Sequence, residues 1–292
     1  MRAVYNVTLV LMLSGGRAAF GVPPPAQPPR QPTTYTYRSI GEQSLSVYVF
    51  RPAVRHASES ASAILLFHGG GWSAGSPEWT FDSARRFADL GMVAIPVQYR
   101  LSEGNVTPID ALADVCAAFR WVRKRAAELR IDPRRVAGYG VSAGGHLVAS
   151  TATVGCPMHA DAAAPSKPDA LLLWSPALDL TNDGWFEKKL QGRATAAAYS
   201  PVEHIGSSTP PTSIVQGAAD TLTPLSGAKR YCERLVQQRV ACEINVYDGV
   251  GHLLTRNLAN QESDFDPDPG ARSDGIAKHR RFLTQLGFIH GR

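Results

Sequence analysis

Nowhere does this chain carry an apolar run long enough to span a bilayer, so no transmembrane anchor is expected. It has no Gly-Lys-Ser/Thr after a glycine-rich loop, which removes the P-loop phosphate cradle. Its histidines and cysteines lack zinc-site spacing, so no metal and no cofactor are expected. Internal repeats are missing too, and with them solenoid and propeller architectures. Charge is modest: 19% of residues, with a formal net charge of +5. Arginine clusters from Arg120 to Arg135 without interleaved surface aromatics or a nucleic-acid motif. That cluster reads as a solvated helix face, and no nucleic-acid partner is expected.

Cysteine is scarce. The four are Cys116, Cys156, Cys232 and Cys242. Cys232 falls mid-helix and Cys242 opens the next strand. Seven helical residues rise about 10 Å and three strand residues return about 10 Å, so that pair can meet across the turn. Cys116 and Cys156 are then left to each other. Four buried thiols remain the alternative, because four cysteines suit an oxidising compartment without demanding one.

What is present, at 292 residues and 44% apolar, is enough for one large core. The first residues read as an export signal: Arg2, an apolar run from Ala3 to Leu13, and a small-x-small site at Ala19-Phe20-Gly21. A secreted or periplasmic location is expected from it. Residues 22–32 read as a proline-rich tether, extended and unpacked, and residues 33–292 as one domain.

The stretch that organises the domain is Val136 to Thr151, VAGYGVSAGGHLVAST. It reads as strand, sharp turn and helix, with Ser142 at the apex of Gly140-x-Ser142-x-Gly144. Small residues two before and two after the serine let strand and helix approach closely, while the serine takes a strained backbone and projects its hydroxyl. The same residues also fit a dinucleotide fingerprint, Gly138-x-Gly140-x-x-Ala143. That rival needs an acidic residue roughly 20 positions on, at a strand end. Asp161 stands near that distance, but in a turn-rich segment.

In chain order, Thr33–Arg38 and Ser44–Phe50 alternate as a hairpin around Gly41. Ala63–Phe67 is a buried strand ending in His68-Gly69-Gly70-Gly71-Trp72. Helix from Glu78, strand at Met92–Val97, helix from Pro108 and the elbow strand follow. Ala170–Trp174, Thr212–Gln216 and Glu243–Tyr247 are further strands, separated by an irregular Thr181–His204 and a helix from Pro224; a last helix spans Ile276 to Leu286. Strands and helices alternating at this spacing predict an α/β fold: a mostly parallel sheet with helices on both faces.

In such sheets functional groups gather at the carboxyl ends of strands. Ser142, Asp220 in GAADTLTP and His252 in DGVGH all stand there, in the order Ser, Asp, His. A serine is a poor nucleophile until an imidazole takes its proton, and the imidazole needs a carboxylate to orient it. Asp179 and Asp248 are weighed as alternative acids and set aside, since Asp220 follows the strand that usually carries this residue. The amides of Gly70, Gly71 and Ala143 can cradle an oxyanion. His68 reads as a loop anchor, His146 as packed, and Trp174 as core. Trp72 is assigned to the cleft wall as a substrate-binding residue, and Trp185 with Phe186 to a small lid or to packing on the sheet.

Together HGGGW, the QYRL run at Gln98–Leu101, GVSAGGHL, GAADTLTP and GVGH resemble serine esterases of the α/β-hydrolase superfamily, over about Ala63 to His252. The likeness is to the hormone-sensitive-lipase-like group and its acetyl-esterase and acetylxylan- or feruloyl-esterase-like relatives. It implies an α/β-hydrolase fold with an eight-stranded, mostly parallel sheet. It also implies Ser142, Asp220 and His252 as triad and Gly70, Gly71 and Ala143 as oxyanion donors. Two departures bear on substrate: Val141 stands where many of the group carry Asp, and only a tether and a hairpin precede the HGGG strand, so no large cap domain is expected. These favour short acyl esters, including those of an acylated plant polysaccharide, over lipid esters, with an ester as the partner and no membrane.

Overall fold

The computed structural model describes residues 31–53, 60–157 and 165–290. The export signal and nearly all of the tether, like Asp161, lie outside them. Eight strands and seven helices follow one another: β1 (Thr33–Ile40), β2 (Gln43–Val49), β3 (Ala61–Phe67), α1 (Phe81–Asp89), β4 (Val93–Pro96), α2 (Pro108–Lys124), α3 (Ala126–Leu129), β5 (Ile131–Val141), α4 (Ala143–Ala152), β6 (Ala170–Trp174), α5 (Gly184–Lys189), β7 (Thr212–Gly217), α6 (Leu225–Gln237), β8 (Cys242–Tyr247) and α7 (Pro269–Gln285).

The eight expected strands do not form one sheet. Six make a wholly parallel sheet in the order β4-β3-β5-β6-β7-β8, and β1 and β2 pair separately as an antiparallel hairpin. β2 reaches β4 through isolated bridges only, at Val47 with Val97 and Phe50 with Ala94. The physical reason is a proline. The N–H groups of Ala94 and Gln98 donate to Phe50 and Ser46 at 3.0 Å each. Between them stands Pro96, which has no N–H to give, so the ladder breaks there.

Successive residues of β3 point to opposite faces, as a strand dictates. Leu65 and Phe67 join the larger core with α2, α4 and α6; Ile64 and Leu66 join a second one with α1 and α7. Every residue from Ser62 to Phe67 is buried, as expected of a strand covered on both sides. Capping fixes the helices. Thr107 and Asp110 form a reciprocal capping box before α2, and the Asp268 carboxylate accepts the Ala271 N–H to start α7 seven residues ahead of the expected boundary.

Disulfides join Cys116 of α2 to Cys156 beyond α4, and Cys232 of α6 to Cys242 of β8. The second is the pair that the reach of helix and strand allows, with Cα atoms 5.4 Å apart. Among the described residues no helix is long and apolar enough to cross a membrane. The strand order places the topological switch between β3 and β5, where the chain leaves β4 and crosses back. A crevice is expected at the carboxyl ends of those two strands.

Candidate active site

β5 ends in Val141, α4 begins at Ala143, and Ser142 joins them with φ 51° and ψ −116°. No non-glycine residue adopts that backbone without cost, and close packing enforces it. A Cβ on Gly140 would stand 2.5 Å from the Gly144 carbonyl oxygen, and one on Gly144 would overlap the carbonyls of Phe67 and His68. Gly140 thus lets β5 approach the start of α4, and Gly144 lets α4 approach the end of β3. Hydrogen bonds hold the turn from both sides: Ser142 N–H donates to the Trp174 carbonyl at 2.9 Å, and the Ser142 carbonyl accepts from Ala177 at 3.3 Å.

Three of the predicted side chains meet. His252 Nε2 lies 3.1 Å from Ser142 Oγ, and His252 Nδ1 lies 3.0 Å and 3.2 Å from the two Asp220 oxygens. Asp220 and His252 are both buried. The carboxylate is further saturated by Gln216 Nε2 at 2.9 Å, by the Leu222 and Thr223 amides at 3.0 and 2.9 Å, and by the Thr223 hydroxyl at 2.9 Å. A carboxylate accepting so many donors stays put, and so does the imidazole it faces. On the other side Gln261 Oε1 accepts the backbone N–H of His252 at 2.8 Å, and Ser175 Oγ accepts that of Leu253 at 3.0 Å.

Gln216, Thr223, Ser175 and Gln261 had no place in the sequence reading. Gln216 did leave a trace, as a polar residue closing a buried apolar strand, and Thr223 another, three residues after the acid. Gln261 arrives from a loop nine residues beyond the histidine and left no pattern. Of the alternative acids, Asp179 is held elsewhere, paired with Arg230 at 2.8 Å.

Ala143 follows the serine, and the loop that carries Gly70 and Gly71 passes it at Gly69. Gly69 packs against it, since a Cβ there would come 3.3 Å from Ser142 Cβ. Gly70 and Gly71 have φ of 104° and 58°, a left-handed turn open to glycine. The amides of Gly70, Gly71 and Ala143 find no acceptor among the described residues, which leaves three donors free at the end of α4, where the helix dipole favours negative charge.

Two histidines buttress this loop without entering it. His68 stacks on Tyr99 at 4.3 Å between ring centroids, and its Nδ1 contacts the Gly69 carbonyl at 2.7 Å. Burial lowers its pKa to about 4, so it is neutral. The QYRL run acts here: the Tyr99 hydroxyl donates to the His68 carbonyl at 2.8 Å, and Arg100 grips the buried Asp114 of α2 at 2.8 Å. His146 donates from Nε2 to the Tyr199 carbonyl at 2.8 Å and accepts from the Trp72 indole N–H at 3.1 Å.

That last bond corrects the expectation for Trp72. Its backbone φ of 61° turns the ring inward against His146 and Phe186, leaving it 3% exposed. The aromatic on the cleft side is Trp185, 54% exposed, whose ring tip would stand 2.9 Å from a Cβ on Gly71. Phe186 beside it is fully buried, so α5 divides the two roles weighed for this pair: one ring packs and the other faces solvent. Trp174 is core, as expected.

The sequence pattern of a family described as alpha/beta hydrolase fold matches residues 64–256. The chain is 38% identical over 117 residues to carboxylesterase NlhH of Mycobacterium tuberculosis, covering 38% of this chain and 35% of that one. It is 35% identical over 114 residues to an arylesterase of Saccharolobus solfataricus, covering 38% of this chain and 36% of that one. The matches thus span about a third of the length of these relatives. Among solved structures, esterase 2 of Thermogutta terrifontis aligns with a TM-score of 0.80 and 31% identity, over 91% of this chain and 98% of the other. The same esterase has been solved with propionate and with butyrate bound.

Proposed function

The chain belongs to the alpha/beta hydrolase fold family, and from that premise we propose that it is a serine carboxylesterase acting on short acyl esters through Ser142. The observation that carries this reading is the unbroken line Ser142 Oγ, His252 Nε2, His252 Nδ1, Asp220, with contacts of 3.1 and 3.0 Å, beside three unused amides. The hydroxyl is deprotonated by His252 as it attacks the ester carbonyl. Asp220 holds the imidazole and stabilises the charge it acquires. The developing oxyanion is taken by the amides of Gly70, Gly71 and Ala143, and the imidazolium returns its proton to the leaving alcohol. Water, activated by the same imidazole, then releases the acid from the acyl-enzyme.

Ester hydrolysis is supported by the carboxylesterase relatives, and short acyl groups by the propionate and butyrate complexes of the Thermogutta terrifontis enzyme. A polymeric alcohol, such as an acetylated plant-cell-wall polysaccharide, is supported by three exposed rings around the site. These are Trp79, 65% exposed, beside His68; Trp185 beside Gly71; and Phe265, 43% exposed, 6.4 Å from the His252 ring. Exposed aromatic faces bind sugar rings by stacking, and such a cluster is costly on a surface without that use. The export signal and the two disulfides support a secreted or periplasmic enzyme. The test is hydrolysis of 4-nitrophenyl acetate and of acetylated xylan by the wild type and Ser142→Ala. Loss of both activities, with fluorophosphonate labelling of the wild type only, is expected. Wild-type turnover by the alanine variant would refute the assignment.

A further inference from the structure

Next to the elbow, on the α1 and α7 side of the sheet, is a cavity of about 240 Å³ that the triad does not line. Its size lies between the roughly 150 Å³ that holds benzene and the roughly 300–1,000 Å³ of drug-sized sites. It shares walls with the catalytic centre: Val141 precedes the serine, Leu253 follows the histidine, and Trp174 accepts the serine's N–H. Helical spacing composes the rest. On α7, Arg272, His279 and Arg280 fall on one face at i, i+7 and i+8; α1 contributes Arg86 from across the opening.

The lining is chemically one-sided. It holds three guanidinium groups and no carboxylate. Arg86 donates to Ser83 Oγ at 2.9 Å, and none of the three forms an ion pair among the described residues. Elsewhere arginines of the described residues pair with acids, as Arg100 does with Asp114 and Arg230 with Asp179. Arg86 and Arg272 act together on the Tyr139 phenol at the cavity floor, opposing the rise in pKa that its burial causes. The second observation is His279. The ring is 2% exposed, and Nε2 has no partner. Its other nitrogen donates to the Ser213 carbonyl, which leaves Nε2 a bare acceptor in the cavity wall. Buried polar atoms without partners are uncommon and call for a ligand or water.

We propose that this cavity is a substrate subsite for a carboxylate, through which the enzyme selects esters whose acyl or alcohol half carries an acid group. The apolar floor takes the carbon body, and Arg86 and Arg272 take the carboxylate in the planar, forked geometry that guanidinium offers. This rests on the serine-esterase reading above.

The test uses three aryl esters: neutral 4-nitrophenyl acetate, mono-4-nitrophenyl glutarate with its acid on the acyl half, and 4-acetoxybenzoate with its acid on the alcohol half. Wild type is compared with Arg86→Gln/Arg272→Gln and with the remote charge control Arg239→Gln; Arg272→Gln alone, at an exposed position, serves if the double variant does not fold. The double variant is expected to lower kcat/KM for one charged ester about tenfold or more relative to 4-nitrophenyl acetate, through KM. The ester affected identifies the half that enters the cavity. A relative change below about threefold for both charged esters, or an equal change in the control, overturns the proposal. If wild type turns over none of the three, the esterase reading fails instead. Calorimetric binding of benzoate then decides the cavity, supported if the double variant weakens it about tenfold and overturned if wild type binds none.

Discussion

Between pH 7 and pH 4.5 this protein should lose stability through its imidazoles, before its carboxylates titrate. His68, His146 and His279 are almost fully buried. Desolvation takes their pKa values from 6.5 to about 4, about 4 and about 3 respectively, partly offset by hydrogen bonds to the carbonyls of Gly69, Tyr199 and Ser213. All three are therefore neutral in the native state. In the unfolded chain they take up protons once the pH falls below 6.5. Their contribution is thus present above 6.5 and lost as pH falls towards the folded values. Each costs about 1.4 kcal/mol per pH unit inside that window, and three cost about 4 kcal/mol per unit. Across one and a half units that is roughly 6 kcal/mol, against a total stability of about 5–15 kcal/mol for an ordinary domain. Carboxylates such as Asp110 and Asp179, whose pKa values are lowered by their arginine partners against the effect of burial, add their loss only in stronger acid. Urea unfolding followed by tryptophan fluorescence from pH 8 to 4.5, with the disulfides intact, should give a slope near three protons. His279→Phe should remove about one. A slope below one proton would refute the reasoning.

The remaining predictions concern the elbow, the triad and the bridges. Asp220→Asn should keep the fold, because the Leu222 and Thr223 amides still bond its carbonyl oxygen, yet lower kcat on 4-nitrophenyl acetate by about 10³–10⁴ through the wrong imidazole tautomer; a loss under tenfold would remove Asp220 from the triad. Gly144→Ala should abolish soluble expression or lower the melting temperature by more than about 10 °C, since its Cβ has only backbone carbonyls to displace. Removing the Cys116–Cys156 bridge, which closes a 40-residue separation, should cost about 4 kcal/mol; removing Cys232–Cys242, at a separation of 10, about 3 kcal/mol, both read by urea unfolding.

The sequence carried the order of strands, the apex of the elbow and the three residues that converge there, because each follows from a local rule: buried runs make strands, and glycines permit close approach. Local rules were silent where a distant partner decides. Pro96 is visible in the chain, but its effect on the sheet depends on β2 arriving opposite it with a carbonyl to satisfy. Trp72 follows the oxyanion glycines, and nothing in HGGGW says its backbone turns left-handed and sends the ring towards His146. The sequence reading starts α7 at Ile276, seven residues late, because the proline- and aspartate-rich DPDPG reads locally as a turn, although Asp268 as cap and Pro269 at the first position are also how a helix begins. Gln261 is the hardest case, a supporting residue supplied by an irregular loop with no period to read.

Besides Ser142, the backbones of Trp72, Ser175, Leu253 and Leu254 all have positive φ, between 43° and 62°. Trp72 follows the oxyanion glycines, Leu253 and Leu254 follow His252, and Ser175 Oγ accepts the Leu253 N–H; each costs on the order of 1 kcal/mol relative to a glycine there. The rim therefore stores strain that the surrounding packing holds in place. A selection for thermal endurance alone would drift towards glycine or asparagine at the partly buried Leu253, trading the grip on the histidine for a higher melting point, but would keep Leu254, whose buried side chain is worth more to the core than its strain costs.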